Sequence, residues 1–206
     1  KTDEQILKEA GDAARSGVTR YCMVLSGRGP GLGRVNKLAS VIRQIKATYP
    51  IGVCLSVGLI DDVQARILKE AGLDRLNHNL NTPESHYPKI CSTHGYRDRT
   101  ATLDAAQGAG IELCSGVIIG MGEQSHDLVE VATELRRRQV PSIPVNFLIP
   151  IEGNPVQSDG SLSPDRCLRA LSLMRLTNPR AEIRMAAGRE GHLRSLQPLG
   201  LYPANS

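Results

Sequence analysis

The sequence predicts an α/β protein of the TIM-type (β/α) barrel class, incomplete within this chain and continuous as one domain over residues 1–206. Three observations predict it. Apolar runs of strand length alternate with segments of helical period along the whole chain. No Pro- or Ser-rich linker and no low-complexity stretch marks a domain boundary. Strand-to-helix-to-parallel-strand crossovers are almost always right-handed, so such a series either curls into a barrel or forms a doubly wound sheet.

Each element has a local reason. Thr2 followed three residues later by Gln5 reads as a capping box, Ile6, Leu7, Ala10, Ala13 and Ala14 form an apolar helix face, and Gly17 stops it. Strand VTRYCMVLS follows, then a helix over 34–48, strand IGVCLSVG, a helix from the N-cap Asp61 to Gly72, and strand LDRLNHNL. The rhythm continues with a helix over 95–109, strand IELCSGVIIG, a helix over 125–138, strand SIPVNFLI, a helix over 163–176 and strand AEIRMAA. That gives about six βα units where a closed barrel has eight, typically in about 250 residues. The expectation is a fragment lacking the first and last barrel strands, with an open six-stranded sheet as the alternative. The hexapeptide ILKEAG, which starts at both Ile6 and Ile67, reads as coincidence.

Composition narrows the function classes. With 40% hydrophobic residues the chain has material for a substantial core, and no apolar run approaches the 18 residues of a membrane helix. The charged opening KTDEQILKEAGD is neither a signal nor a transit peptide, so a cytoplasmic protein is expected. The net charge of +4 is scattered and only one Phe and five Tyr are present, a poor surface for nucleic acid. Arg136, Arg137 and Arg138 read as the solvated end of a helix, where cations complement its dipole. SGRGPGLGR fits neither the dinucleotide fingerprint nor the P-loop and reads as a flexible βα loop.

Five cysteines at gaps of 32, 37, 23 and 53 residues do not form a secreted disulfide framework, nor is there any CxxC pair. A reducing compartment is expected. Cys22, Cys54 and Cys114 fall within three different predicted strands, and Arg184, able to point inward, lies on a fourth. Buried cysteine is usually a small hydrophobe, but a guanidinium in a barrel interior demands anionic company, which thiolates and an anionic iron–sulfur cluster would supply. Cys91 and Cys167 fall in a loop and on a helix and receive no role. The strand period of two sends Asn77, Asn79 and Asn81 to one face, where three carboxamides want a polar ligand or an internal network. Gly116, Gly120 and Gly122, with Glu123, leave room for a ligand close to the backbone.

The blocks LNHNLNTPESHYPKICSTHGYRDR, ELCSGVIIGMGE, SIPVNFLIPIEGNP and IRMAAGREGHLRSLQPLGLY, in this order, resemble the biotin synthase family of radical S-adenosylmethionine (SAM) enzymes. The resemblance implies a βα barrel with two iron–sulfur clusters that inserts sulfur into dethiobiotin by SAM-derived radical chemistry. It implies Cys22, Cys54, Cys114 and Arg184 as ligands of a sulfur-donating [2Fe-2S] cluster. Asn77, Asn79 and Asn146 would hold the ureido ring of dethiobiotin, amides offering both donor and acceptor to a neutral urea. Asn79, Asn81 and Arg99 would hold SAM, the asparagine at 81 standing where some family members carry Asp, which weakens the ribose contact. An electron-donor protein such as a flavodoxin or ferredoxin and a homodimeric assembly are further implications.

One departure is large. The CxxxCxxC loop that holds the family's [4Fe-4S] cluster is absent from these 206 residues. Truncation is the favoured explanation, a degenerate relative the alternative, and the piece by itself is expected to be incompetent for the radical step. Outside this family, a conventional barrel lyase would want a catalytic Lys or a carboxylate pair at strand ends. A non-catalytic binding module would keep the asparagines and tolerate loss of the cysteines.

Overall fold

A computed structural model describes residues 1–153, 156, 160 and 162–206. Asn154 and Pro155, which end the block SIPVNFLIPIEGNP, lie outside the described residues. The chain divides into two compact units, one formed by Lys1–His78 with Arg99–Leu113 and the other by Asn79–Asp98 with Cys114–Ser206. The fold is α/β, and the described strand pairings are parallel.

The first unit begins with α1 (Asp3–Arg15), whose Thr2/Gln5 capping box is formed as expected, followed by β1 (Arg20–Val24), α2 (Leu32–Thr48) and β2 (Gly52–Ser56). Asp61 caps α3 (Asp62–Glu70) through a second box with Gln64, and β3 (Arg75–Asn77) follows. Two orphan amides are satisfied at each of these helix starts. Strand order within this unit is β1-β2-β3, with Cys22 opposite Cys54, Cys54 opposite Arg75, and Leu55 opposite Leu76. Val35, Ile42 and Ile45 of α2 and Leu68 of α3 are buried with Val53 and Leu55 of β2, the side of the strand opposite Cys54.

Helix α4 (Tyr96–Gly108) supplies residues to both units, as does β4 (Glu112–Cys114), whose last residue belongs to the second. The second unit continues with β5 (Val117–Ile119), α5 (Ser125–Arg137), β6 (Ser142–Phe147), α6 (Pro164–Thr177), β7 (Glu182–Met185), α7 (Arg189–Leu193) and α8 (Gln197–Gly200). Strand β6 lies at the centre of its ladders: Ser142 pairs with both Cys114 and Glu182, Asn146 with Ile118, and Pro144 with Arg184. Leu128, Val131 and Leu135 of α5 and Leu171 and Met174 of α6 are buried with Ile143, Val145 and Phe147 of β6.

The strand expected over 111–120 is interrupted. Residues Ser115 and Gly116 leave the ladder, and a Cβ on Gly116 would lie 1.9 Å from the Pro144 carbonyl oxygen. Only a residue without a side chain lets the two backbones approach so closely. The strand expected over 73–80 is likewise shorter, at Arg75–Asn77.

Candidate metal centre

The predicted ligands come in two local pairs. In the first unit Cys22 and Cys54 are direct partners across a parallel ladder. Neighbouring strands lie about 4.8 Å apart, and partners in register send their side chains to one face. Cys54 is buried, whereas Cys22 is exposed and lines a cleft of about 570 Å³ with Tyr21, Arg34 and Lys37. The exposure differs from the expected interior position, because β1 ends the strand order of its unit and is paired only with β2 among the described residues.

In the second unit the guanidinium of Arg184 donates from Nη2 to Cys114 Sγ at 3.0 Å. Cys114 is 1% exposed, and Arg184 Nε is buried without a hydrogen-bond partner among the described residues. A buried N–H left unsatisfied costs free energy that an anionic acceptor would recover. Arg184 therefore has one donor committed to sulfur and another still calling for an acceptor.

The asparagines divide by what they already hold. Asn79 Oδ1 accepts the Gly116 N–H at 3.1 Å, which ties the segment after β3 to the break between β4 and β5. Asn81 has a left-handed backbone (φ 70°), which ends the strand alternation expected over 77–81. Its backbone instead bridges to Val117, donating to the Gly116 carbonyl at 3.0 Å and accepting from Ile118 N–H at 2.9 Å. Asn146 donates from Nδ2 to the Val117 carbonyl at 3.1 Å and accepts the Ala187 N–H at 3.3 Å. An amide has two donors and two acceptor sites, so each end of Asn146 keeps one for a ligand. Asn77 closes β3 in the first unit, half-buried, and Arg99 stands on α4, also half-buried.

Two residues were not singled out as site residues. Arg75, 7% exposed, is the register partner of Cys54 and is held by Glu112 at 3.0 Å. A lone arginine in the strand run LDRLNHNL was its signal. Glu123, 1% exposed, accepts the Gly120 N–H at 2.9 Å and the Met121 N–H at 2.8 Å while Arg166 lies 3.1 Å away. It fixes the turn after β5, a role that GVIIGMGE hinted at without giving Arg166.

The Radical SAM superfamily model matches residues 1–135. The chain belongs to the radical SAM superfamily. A second model, the Biotin and Thiamin Synthesis associated domain, matches residues 144–206. Over all 206 residues the chain is 60% identical to a biotin synthase from Acaryochloris marina and 53% identical to one from Magnetococcus marinus. It spans 60% and 64% of the lengths of those two proteins.

Solved structures share the fold at low identity. Methylornithine synthase aligns with a TM-score of 0.76 at 20% identity, covering 88% of this chain and 54% of that one. The FeFe-hydrogenase maturase HydG from Carboxydothermus hydrogenoformans aligns at 0.80 and 18%, covering 98% and 49%.

Each pair offers sulfur donors of the kind that hold iron–sulfur clusters. Among the described residues no group of three or more His, Cys, Asp or Glu is placed to hold one metal ion. A two-iron cluster asks for two protein donors at each iron, usually thiolates. The first unit offers a register-matched thiol pair, and the second a thiol–guanidinium pair.

Proposed function

We propose that this chain is the barrel portion of a biotin synthase that converts dethiobiotin to biotin with SAM, a [4Fe-4S] cluster and a sulfur-donating [2Fe-2S] cluster. The observation that carries the reading is the pairing of donors: Cys22 with Cys54 by strand register, and Cys114 with Arg184 by a 3.0 Å hydrogen bond. When bound, the groups supply hydrogen abstraction from an unactivated carbon and the sulfur atom itself.

The chain's own residues bind, orient and exclude. In this reading Cys22, Cys54 and Cys114 hold iron through thiolates, and Arg184 completes the fourth position while its charge offsets theirs. Asn77, Asn79 and Asn146 meet the urea carbonyl and N–H groups of dethiobiotin. Asn146 is pre-set for this, since the Val117 carbonyl and the Ala187 N–H fix its amide plane. Asn79 and Asn81 address SAM, and Arg99 meets its carboxylate, for which a guanidinium offers a bidentate fork. Glu123 and Arg166 hold the Gly120–Met121 turn so that backbone lies near the ligand. In this reading the complete barrel, of which this chain is a part, keeps water from the reacting centre.

The CxxxCxxC motif is not within these 206 residues, so the reading places the [4Fe-4S] ligands elsewhere in the working protein. Electrons then come from a flavodoxin or ferredoxin, and the protein works as a cytoplasmic homodimer. Among the described residues no helix is long and apolar enough to cross a membrane, which is compatible with that location.

Anaerobic reconstitution with iron and sulfide tests the reading. A red-brown [2Fe-2S] absorption that Cys54→Ala removes is the expected result. A colourless product that still binds dethiobiotin would overturn it in favour of a binding module.

A further inference from the structure

Cys91, His94 and Tyr87 form a second group of chemistry-bearing side chains in the segment between β3 and α4, apart from the donor pairs above. We propose that Cys91 is a nucleophilic modification site that exchanges with small-molecule disulfides, taking up a thiol as a mixed disulfide.

The geometry builds from a short turn. Pro83 and Tyr87 open a run of backbone hydrogen bonds in which Cys91 N–H donates to the Tyr87 carbonyl at 3.2 Å. That folds the chain back so that Sγ lies 3.5 Å from Thr93 Oγ1 and 3.5 Å from His94 Nδ1. The other face of the imidazole is engaged: Tyr87 Oη, on a side chain 2% exposed, lies 2.9 Å from His94 Nε2. Sγ lies 3.9 Å from Nε2 as well, so the sulfur rests against the imidazole within reach of both ring nitrogens. Tyr87 is itself held edge-on by Tyr96 at 5.9 Å between ring centres, so the imidazole has a fixed backing.

The sulfur thus sits among donors while staying half-buried and reachable. Partial burial acts to raise the thiol, but the Thr93 hydroxyl and backbone, the His94 backbone and the Tyr87 hydroxyl together outweigh it. They hold Cys91 below the ordinary thiol value. Cys167 is the internal contrast. Fully buried on α6, it is pushed up to about 11 by that burial, against weaker opposing effects of the Arg166 charge and a backbone hydrogen bond.

The exchange balances without an added oxidant. The Cys91 thiolate attacks one sulfur of the disulfide, a new S–S bond forms, the old one breaks, and the displaced thiolate leaves with the electron pair and takes a proton from water.

The test uses the cluster-loaded protein under anaerobic conditions, with oxidised glutathione as the probe and peptide mass mapping as the readout. One glutathionyl adduct on Cys91 is expected, forming at least roughly tenfold faster than any on Cys167. Thr93 is exposed, so Thr93→Val keeps the packing, and it should slow the adduct about threefold and move the midpoint of its pH profile upward. Cys91→Ser should abolish the adduct with the cluster absorption unchanged. An adduct that maps elsewhere would overturn the proposal. So would a Cys91 rate with a midpoint at or above the ordinary thiol value of about 8.5.

Discussion

The two donor pairs are built by different physics. In the first unit Cys22 meets Cys54 because β1 and β2 run parallel in register, so the spacing belongs to the backbone and asks nothing of side-chain length. In the second unit Cys114 and Arg184 sit on strands that flank β6 on opposite sides, about 10 Å apart at two strand spacings. Only a long side chain closes that gap. One pair therefore depends on strand register, and the other on reach and on how closely the flanking backbones approach β6.

The sharpest way to break the comparison is to disturb those backbones. An Ala Cβ at Gly116 would lie 1.9 Å from the Pro144 oxygen, and two main chains are slow to yield. Gly116→Ala is expected to destabilise by about 3 kcal/mol, read from the urea midpoint. At Gly33, near the start of α2 in the first unit, an added Cβ meets nothing within 4 Å. Gly33→Ala should stabilise by about 0.5–1 kcal/mol through helix propensity and reduced chain entropy. Equal effects at the two glycines would mean that the second unit is not constrained as described.

Next in size is the contrast between the pairs themselves, read as [2Fe-2S] absorption after reconstitution. Cys54→Ala removes a donor that register alone positions, and should lower cluster retention at least roughly tenfold. Arg184→Lys keeps the charge but loses the planar fork and the Nε donor, and is expected to cost only about twofold. A tenfold loss at Arg184→Lys would show that the planar fork and its Nε donor, not reach and charge alone, hold the second pair.

How far the sequence was legible follows from which features are local. Capping at Thr2 and Asp61 and the alternation of strands and helices depend on residues a few positions apart, and the structure repeats them. The pairing of Cys22 with Cys54 also follows from parallel strands whose cysteines sit at comparable depth. What stayed hidden was long-range or conformational. The break at Ser115–Gly116 depends on the approach of Pro144, and Asn81 leaves the strand alternation through a left-handed backbone that asparagine tolerates. Arg136–Arg138 read as a solvated helix end because periodicity does not see tertiary partners. Arg138 is in fact 7% exposed, and Arg136 donates to the Thr177 carbonyl at 2.8 Å.

That arginine run supplies the smallest test, again between the units. Glu134 on α5 takes a bidentate fork from Arg137, with both contacts at 2.7 Å, and a third from Arg138 Nε at 2.6 Å. The Arg137 hydrogen bonds foremost, aided by Arg138 and opposed by partial burial, hold its carboxyl below the ordinary value. A lowered carboxyl stabilises the folded state above its unfolded pKa, and that stability is lost as pH falls through the folded value. Glu134→Gln should therefore cost about 0.5–1 kcal/mol at neutral pH, and the difference should vanish once both proteins are acidified well below pH 4. Glu9 in the first unit is also lowered, by Lys1 and then by the Tyr21 hydroxyl, yet its side chain is 40% exposed against 20% for Glu134. Water and salt screen that pair, so Glu9→Gln should leave the urea midpoint unmoved at either pH. A loss at Glu9 matching that at Glu134 would mean that desolvation does not separate the two carboxylates.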